Sequence, residues 1–169
     1  DASMTQGEVQ YAFSMLDDKL FIVTGLSHRL VSIDTKGTLM LASRDDNMSG
    51  IFGQAEFKFA DDFKMVLASR WDRSTLHPNQ FSPKAAFVWS PAGGHTLRAT
   101  YNQAFQSPNY SELYLRVKHP LKTVIYYGNP SLIPEKITGY EIGYTGVFQN
   151  SIFLTVDGYY NQLKNFVTD

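Results

Sequence analysis

A polar connection between two strand-like runs carries the side chains best suited to hold a ligand. It extends from Gln106 to Pro134 and concentrates aromatic and basic residues: Tyr110, Tyr114, Arg116, Lys118, His119, Lys122, Tyr126 and Tyr127. Guanidinium and ammonium groups bind anions through charge-assisted hydrogen bonds, and they attract the rings of aromatic ligands through cation–π contacts. The composition therefore predicts a site for an anionic or aromatic ligand. The alternative is that these side chains only pack the connection and cover its surface.

No other group of residues indicates catalysis or a preformed metal site. The four histidines are widely separated along the chain: His28, His77, His95 and His119. None of them forms an i, i+2 or i, i+4 pair, as a metal site on one strand or helix would need. Residues 43–47 lack the register of a calcium-binding loop and are interpreted as a solvated loop. Since nucleotide-binding and nucleophile-elbow motifs are also absent, we predict a protein that is not an enzyme and has no cofactor.

The runs on either side of the polar connection alternate apolar with polar residues. Successive side chains of a strand point to opposite faces, so each run has one apolar and one polar face. The apolar faces of the two runs comprise Leu97, Ala99, Tyr101, Tyr140, Ile142 and Tyr144. Arg98 and Glu141 fall on the polar faces. Those faces suit a hydrated interior better than a packed core.

The same alternation recurs along the rest of the chain, with turn signals between the runs. The predicted strands are Glu8–Met15, Lys19–Ile33, Gly50–Phe59, Phe63–Asp72, Gln80–Ser90, Thr96–Asn102, Tyr140–Thr145 and Ile152–Asn161. Short turns near 17–18, 61–62, 91–94 and 149–150 alternate with long connections near 34–49, 73–79 and 106–134. We therefore predict an all-β fold, an antiparallel meander of about eight strands with its long connections at one end.

This pattern predicts one apolar outer face and one charged inner face, as in transmembrane β-barrels. The residues expected on the outer face include Phe57, Phe63, Met65, Leu67, Phe87, Tyr101, Ile142 and Ile152. Glu56, Lys64 and Arg98 should lie on the opposite face, because Lys or Arg facing lipid at the midplane costs roughly 2–4 kcal/mol. Carboxylates such as Glu56 and Glu141, facing Arg70 or Arg98, are then ion pairs of a wet interior and not acid–base pairs.

Composition is consistent with this class and excludes others. The chain has 15 Lys and Arg against 16 Asp and Glu, a net charge of -1, which argues against a nucleic-acid partner. It has no cysteine, so it can form neither disulfides nor thiolate metal sites. No apolar run approaches the roughly 18–20 residues of a membrane-spanning helix, whereas a spanning strand needs only about 10 alternating residues. Trp71 and Trp89 fall near strand ends, where an interfacial aromatic girdle would place them.

Two sequence motifs overlap the ends of the polar connection. The first, A-F-x-x-P-x-x-x-E-L-Y, is formed by Ala104, Phe105, Pro108, Glu112, Leu113 and Tyr114. The second joins G-N-P-x-L-x-P-E to Y-E-I-G-Y and is formed by Gly128, Asn129, Pro130, Leu132, Pro134, Glu135, Tyr140, Glu141, Ile142, Gly143 and Tyr144. In this order the motifs resemble the late barrel strands of TonB-dependent outer-membrane receptors. Gln103 and Gln106 depart from the family pattern, which has basic residues at those positions.

The resemblance implies that residues 1–169 are the C-terminal part of a barrel domain of about 22 strands, which surrounds a plug. It also implies the outer membrane of a Gram-negative bacterium, contact with its lipid, and uptake of a scarce large solute such as a ferric siderophore or cobalamin. The TonB complex would contact an N-terminal segment that, like the plug and the remaining strands, we do not expect in this chain. Two alternatives stay open. One is a complete eight-stranded outer-membrane barrel, a passive channel or an adhesin, and the other is a soluble β-sandwich binding module.

Overall fold

Eight long strands form one antiparallel sheet in the computed structural model, which describes residues 1–40, 42–118, 125–149 and 151–166. The strands are β1 (Ala2–Met15), β2 (Leu20–Ile33), β3 (Arg44–Ala60), β4 (Phe63–Ser74), β5 (Gln80–Ala92), β6 (His95–Gln106), β9 (Glu135–Phe148) and β10 (Ile152–Lys164). The connection between β6 and β9 contains a short helix, α1 (Tyr110–Tyr114), and a small sheet of β7 (Arg116–Lys118) and β8 (Ile125–Tyr127). Each strand of the large sheet pairs with its neighbour along the chain, which confirms the predicted meander.

The strands are longer than the alternation of the sequence predicted. The prediction of a loop over residues 34–49 was wrong for its second half, because β3 begins at Arg44. Residues 44–47 are polar on both faces and so give no alternating signal, yet their backbone pairs with β2, with Arg44 opposite Ile33. β1 likewise begins at Ala2 and not at Glu8. The strands therefore continue beyond the segment in which one face is apolar.

The strand register confirms the predicted division between the two faces. Residues directly opposite each other in an antiparallel pair share a face, and Met65 lies opposite both Phe57 and Phe87. All the residues expected on the outer face belong to this side: Phe57, Phe63, Met65, Leu67, Phe87, Tyr101, Ile142 and Ile152. Glu56, Lys64 and Arg98 lie on the other side.

The sheet curves around its charged side. A groove of about 620 Å³ is lined by polar residues of β1 and of β3 to β6, among them Glu8, Arg70, Lys84 and Asn102. β1 and β6 are far apart in the strand order, so they can line the same groove only if the sheet bends toward this side. The charged side is therefore the concave inner face, and the apolar side is the convex outer face.

The outer face is apolar and exposed, and no second layer covers it in the described part of the chain. Ile142 is 64% exposed, and the same face also exposes Val9, Ile51, Phe87 and Val156. Within the described ranges only Met40 and Leu113 are buried hydrophobic residues, and both lie in connections between strands. A β-sandwich would bury these faces between two sheets, so that alternative was wrong. The described strands also do not close on themselves, since β1 and β10 each pair on one side only.

Aromatic residues mark two levels on the outer face. Phe63, Trp89 and Phe148 lie near the short turns, and the Trp89 indole Nε1 donates a hydrogen bond to Asp62 at 3.2 Å. Trp71 lies eight residues from Phe63 on β4, and Tyr140 lies eight residues from Phe148 on β9, in both cases toward the long connections. Eight residues at about 3.3 Å each, in strands tilted by about 40°, span about 20 Å of height. In the described residues no helix is long and apolar enough to cross a membrane.

Candidate functional site

The candidate site is formed where the long connections meet. Three connections, 34–43, 75–79 and 107–134, join alternate strand pairs of the meander, so all three leave and re-enter the sheet at the same end. Short turns join the strands at the opposite end, as predicted. The polar connection that the sequence singled out is the longest of the three.

The first motif folds into α1, because Asn109 caps it. The Asn109 side-chain Oδ1 accepts a hydrogen bond from the Glu112 backbone N–H at 2.9 Å, and the Glu112 carboxylate accepts one from the Asn109 N–H at 2.8 Å. This reciprocal capping box holds a helix of a single turn that would not be stable by itself. The helix turns Leu113 inward, where it is 1% exposed.

The second motif closes over the first, and we call residues 109–115 and 128–134 together the clasp. The Gly128 N–H donates to the Leu115 carbonyl, and the Asn129 N–H donates to the Glu112 carbonyl, each at 2.7 Å. A side chain on Gly128 would place its Cβ 2.5 Å from the Leu113 carbonyl carbon, so only glycine permits this approach. Pro134 is fully buried at the end of the clasp, immediately before β9. The motif residues here thus join two distant segments through their backbones.

The remaining motif residues lie at the strand ends and on the two sheet faces. Ala104 and Phe105 are near the end of β6, Pro108 is buried before α1, and Pro130 and Leu132 are in the turn that follows Gly128. The Leu132 N–H donates to the Asn129 carbonyl at 3.2 Å. Glu135 is the first residue of β9 and Tyr140 lies on its outer face. The Tyr140 ring packs between Tyr101, at 5.4 Å, and Tyr160, at 6.3 Å.

Two of the predicted ligand residues, Tyr110 and Tyr114, are used to fasten the clasp to β3. The Arg44 guanidinium lies 3.8 Å from the centroid of the Tyr114 ring and donates a hydrogen bond to the Tyr114 hydroxyl. The Tyr110 hydroxyl is buried beside Asp46, whose other carboxylate oxygen accepts from Thr75 at 2.9 Å. Asp46 is 8% exposed, so the interpretation of residues 43–47 as a solvated loop was wrong at this position.

Burial raises the pKa of Tyr110 to about 12, and the negative charge of Asp46 acts in the same direction. Because the folded-state pKa lies above the ordinary value of 10.0, the stabilisation from this hydroxyl is complete below pH 10 and is lost as the pH rises through about 12. We expect a late tyrosine ionisation in an absorbance titration at 295 nm, which Tyr110→Phe should remove. The control Tyr127→Phe should leave it in place. A titration of Tyr110→Phe that matches the unaltered protein would contradict this assignment.

The pair of Arg116 and Tyr127 faces outward. They lie opposite each other in β7 and β8, with the Arg116 guanidinium 5.7 Å from the centroid of the Tyr127 ring. Tyr127 is 66% exposed, and Arg116 is exposed as well. The Arg116 N–H donates to the Leu39 carbonyl at 2.8 Å, which attaches this small sheet to the connection between β2 and β3.

Of the other four predicted ligand residues, two are in the small sheet and two lie outside the described residues. Lys118 is in β7, where it pairs with Ile125, and Tyr126 is in β8, where it pairs with Val117. His119 and Lys122 lie outside the described residues. The structure therefore divides the six described candidates into two groups: Tyr110 and Tyr114 hold the clasp, and Arg116, Lys118, Tyr126 and Tyr127 belong to the small sheet.

His77 was not predicted to contribute to this end of the molecule, yet it joins two of the connections. Its ring Nδ1 lies 2.8 Å from the Pro78 carbonyl and its Nε2 lies 2.8 Å from the Ser107 hydroxyl. The ring also packs against Phe105, with 5.5 Å between centroids. No sequence motif marks this role, since a single buried histidine gives no spacing signal. Within the described ranges no three His, Cys, Asp or Glu side chains could together hold a metal ion.

Ion pairs cover the inner face below the clasp. Arg98 donates to Glu141 at 2.5 Å and to Asp157 at 2.9 Å, and Gly143 leaves the space that these side chains fill. The predicted pairing of Arg98 with Glu141 is therefore confirmed. Arg70, however, pairs with Asp72 on its own strand, and the partner of Glu56 is Lys64, at 3.2 Å. These contacts are those of a charged, hydrated lumen wall.

A single sheet with an exposed apolar convex face, a charged concave face and long connections at one end defines a section of a transmembrane β-barrel wall. The family model described as "TonB dependent receptor-like, beta-barrel" matches residues 11–169. The chain therefore belongs to the TonB-dependent receptor β-barrel family.

Similar proteins agree with this assignment. The chain is 26% identical over 129 residues to the vitamin B12 transporter BtuB of Vibrio vulnificus, a match that covers 75% of this chain and 18% of that protein. The structure resembles the siderophore receptor PirA from Pseudomonas aeruginosa with a TM-score of 0.78 and 14% identity, covering 96% of this chain and 32% of that one. It resembles the copper transporter OprC with a TM-score of 0.72 and 16% identity, covering 98% and 30%. The chain thus spans less than a third of each of these relatives.

Proposed function

We propose that the full-length protein carrying this chain is an outer-membrane receptor of a Gram-negative bacterium, and that it imports a scarce large solute with energy delivered through TonB. Residues 1–169 supply part of the barrel wall and three of its solute-facing connections. The plug, the TonB-contacting segment and the remaining strands, to a total of about 22, belong to the rest of that protein.

The observation that supports this proposal most directly is the joint arrangement of the two faces in a chain of this family. The convex face exposes apolar residues such as Ile142, whereas the concave face carries ion pairs such as Arg98 with Glu141 and Asp157. Lipid on one side and a hydrated lumen on the other stabilise this distribution, and water on both sides does not. The relatives are named as receptors and transporters, which favours transport over catalysis.

The solute is proposed to be an anionic compound or a metal chelate, and the small sheet of β7 and β8 is its proposed contact. An exposed guanidinium that lies 5.7 Å from an exposed tyrosine ring offers charge-assisted hydrogen bonds and a flat apolar surface together. The clasp positions this pair, because Arg116 follows Leu115, the C-cap residue of α1, and its backbone N–H donates to the Leu39 carbonyl. Tyr110 and Tyr114 are assigned to positioning and not to solute contact.

Replacing Arg116, Lys118 and Lys122 together with alanine should weaken solute binding by about ten- to hundredfold. Loss of one hydrogen bond to a charged group typically costs about 1.5–3 kcal/mol, and each 1.4 kcal/mol is tenfold in affinity. The purified full-length protein is titrated with ferric enterobactin, vitamin B12 and Cu²⁺, and the dissociation constant of each probe is measured by calorimetry. The probe that binds tightest to the unaltered protein is then tested on the variant.

The matched control replaces Lys19, Lys58 and Lys64 with alanine, which removes the same charge at the short-turn end of the strands. This control should keep its affinity, and both variants should reach the membrane at normal levels. Equal affinities of the two triple variants would show that the connection Gln106–Pro134 does not contribute to solute binding. Uptake of the same probe that persists undiminished in cells lacking TonB would overturn the proposed transport function itself.

A further inference from the structure

Two lysines lie directly opposite each other on the outer face, near the long connections. Lys136 of β9 and Lys164 of β10 are partners in the strand register, and both lie on the same face as Tyr140 and Tyr160. Each lysine is four residues beyond its tyrosine, in the direction of the long connections. The pair therefore sits above the apolar part of the outer face.

The height of this pair corresponds to a lipid headgroup region. Tyr140 and Tyr160 lie about 20 Å above the short turns, at the upper level of aromatic residues described above. Four further residues along strands tilted by about 40° add about 10 Å. A lysine there can extend its ammonium group toward polar headgroups while its methylene chain covers apolar surface.

In the part of the chain that the structure describes, the two positive charges have no counter-charge within ion-pair distance. Like charges directly opposite each other across strands are destabilising. The ion pairs formed within the described residues join other side chains, and the ammonium groups of Lys136 and Lys164 take part in none of them. The in-chain neighbours of the pair on this face are Phe105, Thr138 and Gln162, and none of these carries a negative charge.

The charged residues at the two ends of the sheet differ. The short turns carry four carboxylates and one cation, Lys19, close to the lower aromatic level; the carboxylates are those of Asp17, Asp18, Asp61 and Asp62. The outer face near the long connections instead carries Arg73, two residues beyond Trp71, in addition to the lysine pair, and one carboxylate, that of Asp45 on β3. Positive side chains therefore outnumber negative ones on this part of the outer face, where membrane-surface phosphates would meet them.

We propose that Lys136 and Lys164 form a binding site for the phosphate of an anionic lipid in the leaflet on the long-connection side. The two ammonium groups supply the positive charge, and the neighbouring Tyr101, Tyr140 and Tyr160 rings below them pack against the acyl chains. This inference rests on the proposed membrane location but not on the transported solute. It is independent of the clasp and of the β7–β8 sheet.

Lipid binding by the full-length protein, purified in a neutral maltoside detergent, tests the proposal. Native mass spectrometry measures the dissociation constant for phosphatidylglycerol, with phosphatidylcholine as the lipid of zero net charge. Changing both lysines to glutamine should weaken phosphatidylglycerol binding by roughly thirtyfold, which corresponds to about 1 kcal/mol for each lysine near a membrane surface. Phosphatidylcholine binding should not change.

A second lysine pair provides the matched control. Lys58 and Lys64 are also cross-strand partners, but they lie on the concave face near the short turns. The variant K58Q/K64Q should bind phosphatidylglycerol as the unaltered protein does, and K136R/K164R should retain most of the affinity. Equal losses in the two glutamine variants would overturn the proposal, because the effect would then be one of net charge.

Inorganic phosphate distinguishes the lipid from a free anion. If millimolar phosphate displaces phosphatidylglycerol, and if the binding of phosphate also requires the two lysines, the site is one for free anions and the lipid proposal is wrong. If phosphate does not compete, the lipid assignment stands. Solute uptake should be unaffected in K136Q/K164Q, so a failure of the lipid site and a failure of the transport function give different results.

Discussion

Replacing Ile142 with arginine should destabilise the full-length protein by about 1–3 kcal/mol in a membrane. Ile142 lies on the outer face between Phe148 and Tyr140, six residues from the first and two from the second, which places it in the upper half of the apolar band. A guanidinium there must face lipid acyl chains or pull the strand out of position. The free energy of unfolding from lipid vesicles, measured by denaturant titration, gives the size of the effect, and the level of folded protein in the outer membrane should fall with it.

The matched control is Thr145→Arg, three residues further along the same strand. Thr145 is exposed on the concave face, where the new charge meets water and other polar groups. This substitution should change the unfolding free energy by less than about 1 kcal/mol. Similar losses at the two positions would contradict the assignment of the convex face to lipid.

Replacing Gly128 with alanine should open the clasp. The added Cβ would lie 2.5 Å from the Leu113 carbonyl carbon and from the Tyr114 nitrogen, and neither backbone can retreat without losing hydrogen bonds. Two backbone hydrogen bonds are worth about 1 kcal/mol each, and exposure of Leu113 costs about 1.5–3 kcal/mol. The total of about 3–5 kcal/mol should raise amide hydrogen exchange in residues 109–115 and 128–134 by at least a hundredfold.

Gly93→Ala is the appropriate control for this measurement. Gly93 lies in a short turn, and a Cβ there would meet no atom within 4 Å. Exchange in the clasp should not change in this variant, and the strands should remain protected in both. The solute affinity of Gly128→Ala should fall with the loss of protection, since the clasp positions Arg116. Unchanged protection of residues 109–115 would show that α1 does not depend on the second motif.

Much of the fold could be predicted because the relevant signal is local. Alternation such as that of Phe57, Glu56, Met65 and Lys64 assigns each residue to a face without knowledge of its partners, since the period of a strand is two residues. The antiparallel meander follows from short turns between such runs, and long connections then fall at one end. The family motifs were also recognisable in the sequence, because they are contiguous.

The sequence did not predict the strand segment 44–49, nor the partners within the inner face. Residues that are polar on both faces give no periodic signal, although their backbone pairs as well as any other. Glu56 has several possible cations on its face, and the choice of Lys64 over Arg70 depends on the register between β3 and β4.

Only the tertiary structure decided which aromatic and basic residues of the long connection are available to a ligand. Tyr110, Tyr114, Arg116 and Tyr127 have similar chemistry, and the sequence alone treats them alike. The fold brings Arg44 and Asp46 of β3 against the two tyrosines of α1, although more than sixty positions separate them along the chain. There the Tyr110 hydroxyl is buried and the half-buried Tyr114 is held by Arg44, whereas the Arg116–Tyr127 pair stays exposed. The sequence could not show this difference, because contacts between segments distant along the chain leave no local pattern.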